Sequence, residues 1–165
     1  MIRQGRRIAV DVGKARIGVA HCDPEAILAT PLATVRRDSG DFKRIRRFVR
    51  DDAAIEVIVG LPLHMNGTEG SQASFTRRWA QRFARYIAPI PVRLLDERLS
   101  SSTAHAQLSA AGRDARAHRE VVDQAAAVVI LETALEIERR TGEAPGELIS
   151  VDVAEGTATS AEGRI

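Results

Sequence analysis

The sequence predicts an α/β protein in which helices flank a mixed five-stranded sheet. Two apolar runs, 7–12 and 17–20, are joined by a hairpin-sized link, which indicates two antiparallel strands. The later run 57–62 has almost no polar residue, as in a strand that is covered on both faces and has a parallel neighbour. Segments with apolar residues at helical spacing separate the later strands. We therefore expect the order β-β-β-α-β-α-β-α-α.

The third strand is expected at residues 27–35, directly before the first helix. Pro31 would interrupt a central ladder, so this strand is expected at a sheet edge or with a bulge. Capping residues at 38–41 then precede an amphipathic helix that is basic on its outer side. Its apolar positions are Phe42, Ile45, Val49 and Ala53.

Three further helices and one strand complete the prediction. A strand at 92–95 follows the second helix, and a third helix runs from residue 99 to Gly112. The basic segment 113–119 is expected to be a mobile connector. The last helix, 121–140, is apolar nearly all round, so we expect it to lie buried against the sheet. The second helix buries Phe75, Trp79, Phe83 and Ile87.

Charge is distributed unevenly along the chain. The 165 residues contain 24 Lys and Arg against 22 Asp and Glu, and the segment after residue 142 holds five of the acids but one base. Residues 1–142 therefore carry 23 bases and 17 acids, a net charge of +6. Nearly all the bases are arginine, whose fork suits phosphate, which favours a nucleic-acid partner. Ordinary solvated faces would give the same composition.

We expect one domain over residues 1–142 and an acidic, flexible tail at 143–165, in which residues 148–153 could form a short strand. No apolar run approaches the ~20 residues of a membrane span, and the first residues lack a signal-peptide core. We therefore expect a cytoplasmic protein without a membrane partner. We also expect it to be a monomer or a homodimer. Cys22 is the only cysteine, which excludes an internal disulfide and a cysteine-rich zinc site.

Three carboxylates are candidates for a shared site. Asp11 lies inside the first strand, where an uncompensated charge is costly. Glu97 follows the fifth strand, and Asp123 falls in the first turn of the last predicted helix. Each has an ordinary alternative. Asp11 could open a turn, and Asp123 could be a helix N-terminal charge. Glu97 could pair with Arg93 or Arg98.

Clustered carboxylates repel one another and therefore attract cations. All-oxygen ligands at an open site suit Mg²⁺ or Mn²⁺ rather than Zn²⁺. Two such ions ~4 Å apart can activate a water molecule and stabilise the leaving oxygen in phosphodiester hydrolysis. If the last helix packs across the sheet, it brings the three carboxylates to one edge and creates such a site.

Four motifs occur in a characteristic order. They are DVG at 11–13 with RIGVA at 16–20, VGLPL at 59–63 with MNGTE at 65–69, DERLS at 96–100, and VDQAAA at 122–127. Together they resemble the YqgF family of bacterial Holliday-junction-resolvase-like proteins, also described as pre-16S rRNA nucleases. The resemblance covers about residues 6–138.

This resemblance implies a ribonuclease-H-like fold and a metal-dependent endonuclease acting on structured nucleic acid. The substrate would be the 5′ end of pre-16S rRNA, a Holliday junction, or both. Matched to the motifs, Asp11, Glu97 and Asp123 form the acidic triad that holds the metal. Two positions depart from the family: Ala15 stands where a lysine is frequent, and Val121 where a basic residue is common.

Basic residues near the motifs are the candidate nucleic-acid contacts. Lys14 or Arg16 would replace the lysine missing at Ala15, and Arg119 would replace the base missing at Val121. The full set is Lys14, Arg16, Arg98, Arg113, Arg116 and Arg119.

Two other functions remain open at this point. An Asp-x-Gly hairpin also occurs in phosphate-binding lobes of the actin or sugar-kinase type, although these need a second lobe to close over a nucleotide. A non-catalytic RNA-binding or ribosome-assembly factor could retain the same fold. RNA and branched DNA both suit the predicted site, because the same chemistry cleaves either backbone.

Overall fold

A computed structural model describes the backbone of residues 1–100 and 115–151 and, apart from 115–118, their side chains. In this part of the chain there are six strands and three α-helices, and a short 3₁₀ turn follows the fifth strand. The strands are β1 (Arg7–Val12), β2 (Arg16–Cys22), β3 (Ala29–Arg36), β4 (Glu56–Leu61), β5 (Val92–Asp96) and β6 (Glu147–Leu148). The helices are α1 (Asp41–Asp51), α2 (Ser71–Ile87) and α3 (Ala115–Thr141), and the 3₁₀ turn is Glu97–Leu99.

The strands form one sheet in the order β3-β2-β1-β4-β5-β6. β1 pairs antiparallel with β2 and parallel with β4, and β5 pairs parallel with β4. The predicted mixed sheet is therefore confirmed. The sheet also has a sixth strand, because β6 pairs antiparallel with β5. It overlaps the possible strand at 148–153 only at Leu148, and two residues show no alternation that would fix its bounds.

β3 forms one edge of the sheet, as Pro31 predicts. Pro31 is exposed and pairs with Ala20 of β2, and the register shifts between Val19 and Ala20. Proline has no N–H to donate to a ladder, so it is tolerated where no further strand needs that donor. The edge position and the irregular register are both explained by this one residue.

Helices cover both faces of the sheet. α1 and α2 contribute to one core, in which the rings of Trp79 and Phe83 stack with centroids 5.0 Å apart. α3 contributes Ile130, Leu131 and Leu135 to a second core on the other face. β4 is buried along its whole length, as its apolar sequence predicts. Among the described residues, no helix is long and apolar enough to cross a membrane.

α3 begins at Ala115, six residues before the predicted start of the last helix. Asp123 therefore lies in the third turn of this helix, and its interpretation as an N-terminal charge is wrong. The expectation of a mobile connector at 113–119 is also wrong for residues 115–119, which are helical. Arg113 and most of the helix predicted up to Gly112 lie outside the described residues.

Buried ion pairs fix the C-terminal part of α3 to the sheet. Glu138 of α3 accepts hydrogen bonds from the Arg3 side chain at 2.8 and 2.9 Å and from Arg7 at 3.1 Å. Glu56 of β4 accepts further bonds from Arg3 and Arg93. Arg7, Glu56 and Glu138 are each no more than 1 % exposed. The network therefore leaves these buried charges paired, as stability requires.

The segment after α3 returns to the sheet. Ile149 is 7 % exposed and donates its backbone N–H to the carbonyl of Val92 at 3.0 Å. Glu147 forms an ion pair with Arg77 at 2.7 Å. The domain boundary expected at residue 142 therefore falls inside packed structure, which reaches Val151. Residues 152–165 of the expected tail lie outside the described residues.

Cys22 ends β2 and is 1 % exposed. Its sulfur accepts a hydrogen bond from the backbone N–H of Arg7 at 3.3 Å, and burial raises the pKa of the thiol. A raised pKa keeps the thiol protonated and unreactive. Cys22 therefore behaves as a small apolar residue of the core.

Candidate active site

Asp11 lies near the C-terminal end of β1. Its Cα partner across the antiparallel pair is Gly18 of β2. Directly opposed residues share one face of a sheet, and Gly18 faces α3, because a Cβ atom built on Gly18 would overlap the carbonyl oxygen of Asp123. Asp11 thus belongs to the strand ladder and not to the turn, and it lies on the face covered by α3.

Glu97 follows β5 directly, at the start of the 3₁₀ turn. Its side chain lies beside Gly60 of β4, where a Cβ atom would be 3.1 Å from the Cγ of Glu97. Burial first, and then the negative charges of Asp11 and Asp96, raise the pKa of Glu97 to about 7. The structure therefore brings Asp11 and Glu97 close enough to repel each other.

The arginines next to Glu97 in sequence have other partners. Arg98 forms an ion pair with Asp96 at 2.6 Å, and Arg93 forms one with Glu56 at 2.9 Å. Within the described part of the chain, Glu97 makes no ion pair. The interpretation of Glu97 as half of an ordinary ion pair is therefore wrong, and Asp96 adds a third negative charge that sequence reasoning did not assign to the site.

Asp123 lies next to this pair but is held by an arginine. Its Oδ2 accepts a hydrogen bond from the Nε of Arg16 at 2.7 Å. Arg16 begins β2, so this ion pair joins the start of the hairpin's second strand to α3. The backbone of Asp123 contacts Gly18, opposite Asp11, but its charge is compensated. Two of the three predicted carboxylates thus face each other, and the third is paired.

The donor chemistry of the site fits a divalent cation in part. Asp11 and Glu97 offer carboxylate oxygens, and the raised pKa of Glu97 shows a poorly solvated negative site whose repulsion a cation would relieve. Among the described side chains, those of residues 1–100 and 119–151, however, no three from acidic, histidine or cysteine residues converge as a metal site. Arg16 occupies Oδ2 of Asp123, so Asp123 could become a ligand through its other oxygen or by leaving Arg16.

The basic residues predicted to contact nucleic acid are only partly gathered here. Lys14 is exposed in the hairpin link, and Arg98 is exposed and also donates to the carbonyl of Met65 at 3.1 Å. Arg119 is exposed on α3 and lines one cleft with Arg16. Arg116 lies on α3, but its side chain is not described.

A further arginine, Arg36, lines the same cleft and was not predicted. It lies at the end of β3, directly across from Arg16. The available signal was the basic pair at 36–37 that ends the third predicted strand.

The architecture is that of a ribonuclease-H-like α/β protein, and Asp11 and Glu97 lie near each other in it. Two structures of RuvC from Thermus thermophilus share this fold, one of them in complex with a Holliday junction substrate. The complex has a TM-score of 0.55 at 14% identity and covers 86% of this chain and 98% of RuvC. The other has a TM-score of 0.51 at 15% identity, with coverages of 85% and 98%.

A family model described as "RuvX: Holliday junction resolvase" matches residues 5–137. A relative from Streptomyces avermitilis is 52% identical over 152 residues, which cover 91% of this chain and 97% of the relative. One from Nocardioides sp. is 51% identical over 153 residues, with coverages of 90% and 98%. Both bear the name "Putative pre-16S rRNA nuclease". The chain belongs to the RuvX family of nucleases, which is the YqgF family that its motifs indicate.

Proposed function

We propose that this protein is a divalent-metal-dependent endonuclease that hydrolyses phosphodiester bonds in structured nucleic acid. The observation that carries the proposal is that Glu97 is buried near Asp11: burial first, and then the charges of Asp11 and Asp96, raise the pKa of Glu97 to about 7. The buried carboxylates of Glu56 and Glu138 are paired with arginines, whereas Glu97 faces other acids. Acidic side chains that repel one another destabilise the fold, and such clusters are typical of functional sites.

Asp11 and Glu97 would provide the first oxygen ligands for Mg²⁺ or Mn²⁺, and we propose that two ions bind. Asp123 would join them once its carboxylate leaves Arg16. Such ions, when bound, stabilise negative charge on the phosphate and make a water molecule more acidic. Arg16, once released, is free to donate its planar fork to a phosphate oxygen. Without a metal ion the raised pKa of Glu97 lets it keep a proton near neutral pH, so binding of the ions would release that proton.

The preferred substrate we propose is the 5′ end of pre-16S rRNA, with the four-way DNA junction as a second substrate. The relatives that are 51% and 52% identical bear the first name, and the family model bears the second. A nuclease that matures ribosomal RNA would act in the cytoplasm. Family membership over residues 5–137 argues against a phosphate-binding lobe of the actin or sugar-kinase type.

The test is a cleavage assay that offers a pre-16S rRNA fragment and a four-way DNA junction in parallel, each with Mn²⁺ and with EDTA. We expect cleavage that requires the metal and is more efficient on the RNA. The Asp11→Asn variant should lose cleavage and bind Mn²⁺ more weakly, while its fold stays intact or becomes more stable, because a repulsive charge is removed.

The ion pair between Arg16 and Asp123 favours one alternative, a non-catalytic RNA-binding factor of the same fold, because it leaves only two of the three predicted carboxylates facing each other. Tight RNA binding by the wild type without any Mn²⁺-dependent cleavage would establish this alternative. Full activity of the Asp11→Asn variant would instead show that the assigned carboxylates are not the catalytic ones.

A further inference from the structure

Arg16 and Arg36 lie directly opposite each other at the end of the β2–β3 pair. Like charges at directly opposed positions destabilise a sheet, so this arrangement needs compensation. Arg16 has it in Asp123. Arg36 is exposed and makes no ion pair with any residue in the described ranges. The fold therefore places an unpaired arginine beside another arginine at an edge strand.

A cleft of about 340 Å³ opens at this pair of arginines. Its charged lining consists of Arg16, Arg36 and Arg119 against a single acid, Glu120. The cleft adjoins the carboxylate site, because Arg16 bridges the two through Asp123. Arg16 is paired with Asp123, which leaves Arg36 and Arg119 against Glu120, a positive lining complementary to an anion. Arginine forks match phosphate geometry.

The walls of the cleft are fixed to each other. The hydroxyl of Thr34 on β3 donates to the carbonyl of Glu120 on α3 at 3.3 Å. The side-chain amide of Gln124 donates to the Thr34 hydroxyl oxygen at 3.0 Å. These two bonds hold α3 against the edge strand and so keep the positions of Arg36 and Arg119 next to each other.

The basic lining continues past the edge of the sheet. A second cleft of about 210 Å³ shares Thr34 and Arg36 with the first and adds Arg44 and Arg47 of α1. Arg44 is paired with Asp38, whereas Arg47 is exposed. Because β3 is the edge strand of the sheet, no other strand in the described part of the chain lies between the two clefts.

We propose that the cleft formed by Arg16, Arg36 and Arg119 binds a backbone phosphate of the RNA substrate next to the bond that is cut, with Arg36 as a phosphate contact. This inference rests on the proposed function, since it extends the substrate from the carboxylate site across the β3 edge. The strand would leave the Asp11–Glu97 site past Arg16, cross the edge at Arg36 and run towards Arg47.

The experiment measures binding without cleavage. A fluorescein-labelled RNA hairpin with a single-stranded 5′ extension is titrated with protein in EDTA, and its anisotropy is followed at several salt concentrations. The variant is Arg36→Gln. The matched control is Arg82→Gln, which removes the same charge from an exposed position on α2, on the other face of the sheet.

Arg36→Gln should weaken binding about five- to tenfold at low salt and lower the salt slope by about one. Arg36→Lys should restore the slope, because it restores the charge. The melting temperature of Arg36→Gln should stay the same or rise, since the repulsion from Arg16 is removed. Arg82→Gln should leave affinity and slope close to those of the wild type.

Equal effects of Arg36→Gln and Arg82→Gln would overturn the inference, because they would show only a general attraction of the basic chain for RNA. A labelled four-way DNA junction is titrated in the same way, and a loss of affinity seen with the junction but not with the hairpin would overturn the assignment to RNA. The proposed nuclease function is judged separately, by cleavage with Mn²⁺. A wild type that binds the hairpin but never cuts would reject that function and leave the binding result at Arg36 to stand by itself.

Discussion

Gly18 of β2 contacts the backbone of Asp123 of α3 so closely that no side chain fits between them. A Cβ atom at Gly18 would overlap the carbonyl oxygen of Asp123 and approach the next backbone nitrogen at 3.0 Å. Asp11 is the strand partner of Gly18. The contact therefore sets how near α3, with Asp123, comes to the carboxylates on the sheet.

Gly18→Ala should destabilise the protein by about 1–3 kcal/mol or more, because the added methyl group meets rigid backbone and α3 must move. The move would also disturb the ion pair between Arg16 and Asp123. Chemical denaturation measures the first effect, and Mn²⁺ affinity reports the second. Gly40→Ala is the matched control, because a Cβ there approaches only the flexible end of Arg44. Similar losses in both variants would contradict the role given to Gly18.

The parts of the fold that the sequence predicts are those with local patterns. The apolar run at 57–62 is a buried central strand, and Pro31 lies on the edge strand, because each pattern reflects the environment of one element. Asp11 and Glu97 could be placed for the same reason, because one lies within a predicted strand and the other directly follows one. The charge inside an apolar strand was itself the signal for Asp11.

Features that depend on distant residues could not be predicted. Arg16 and Asp123 are 107 positions apart in the sequence, so no local pattern reveals their ion pair. The early start of α3 was missed because residues 115–119 have helix-forming alanine and arginine but no apolar periodicity. β6 exists only because its two residues meet the exposed edge of β5.

Glu97→Gln should stabilise the metal-free protein at pH 8 but not at pH 4. The pKa of Glu97 is raised from 4.5 to about 7 by burial and by Asp11, so the folded protein keeps a proton that the unfolded chain loses in this range. The free energy of unfolding of the wild type therefore falls as pH rises from about 4.5 to 7. A neutral glutamine avoids this loss, which is at most roughly 3 kcal/mol and less for a partly exposed group.

Thermal melts in EDTA across this pH range, with wild type and variant side by side, measure the effect. Glu132→Gln, an exposed position on α3, is the control and should show no such divergence. If Glu97→Gln and the wild type keep a constant difference from pH 4 to pH 8, Glu97 does not titrate in the range assigned to it.

Glu138→Gln should destabilise the protein at neutral pH by about 3–5 kcal/mol, because it leaves the buried charge of Arg7 poorly compensated. Burial acts to raise the pKa of Glu138, but hydrogen bonds from Arg3 and the charge of Arg7 outweigh it and lower the pKa to about 2. The stabilisation is thus complete above about pH 4.5 and is lost as pH falls towards 2.

The difference between wild type and Glu138→Gln should therefore shrink on acidification, which denaturant titrations at several pH values would show. Glu136→Gln provides the control on the same helix, because Glu136 is exposed and makes only an i,i+3 ion pair with Arg139 at 3.4 Å. That variant should cost less than about 0.5 kcal/mol. A difference for Glu138→Gln that stays constant down to pH 2 would argue against the network as described.

The last prediction concerns where the folded unit ends. A chain that ends at Gly142 should melt several degrees below the full chain, whereas a chain that ends at Val151 should melt with it. The shorter chain loses β6, the ion pair of Glu147 with Arg77, and the burial of Ile149. Burial of an isoleucine side chain stabilises by about 1.5–3 kcal/mol, and each kcal/mol shifts the melting temperature of a chain of this size by about 2–4 °C.

Comparing the two truncated chains separates the effect of the packed residues 143–151 from the effect of the acidic residues after them. Both lack the acidic residues 152, 155 and 162, so any difference between them comes from residues 143–151. Removal of β6 also exposes the edge of β5, which should make the shorter chain more prone to aggregate on heating. Equal melting temperatures for the two chains would show that the folded unit ends near residue 142, as the composition alone predicts. They would also show that the contacts of Ile149 are not needed for stability.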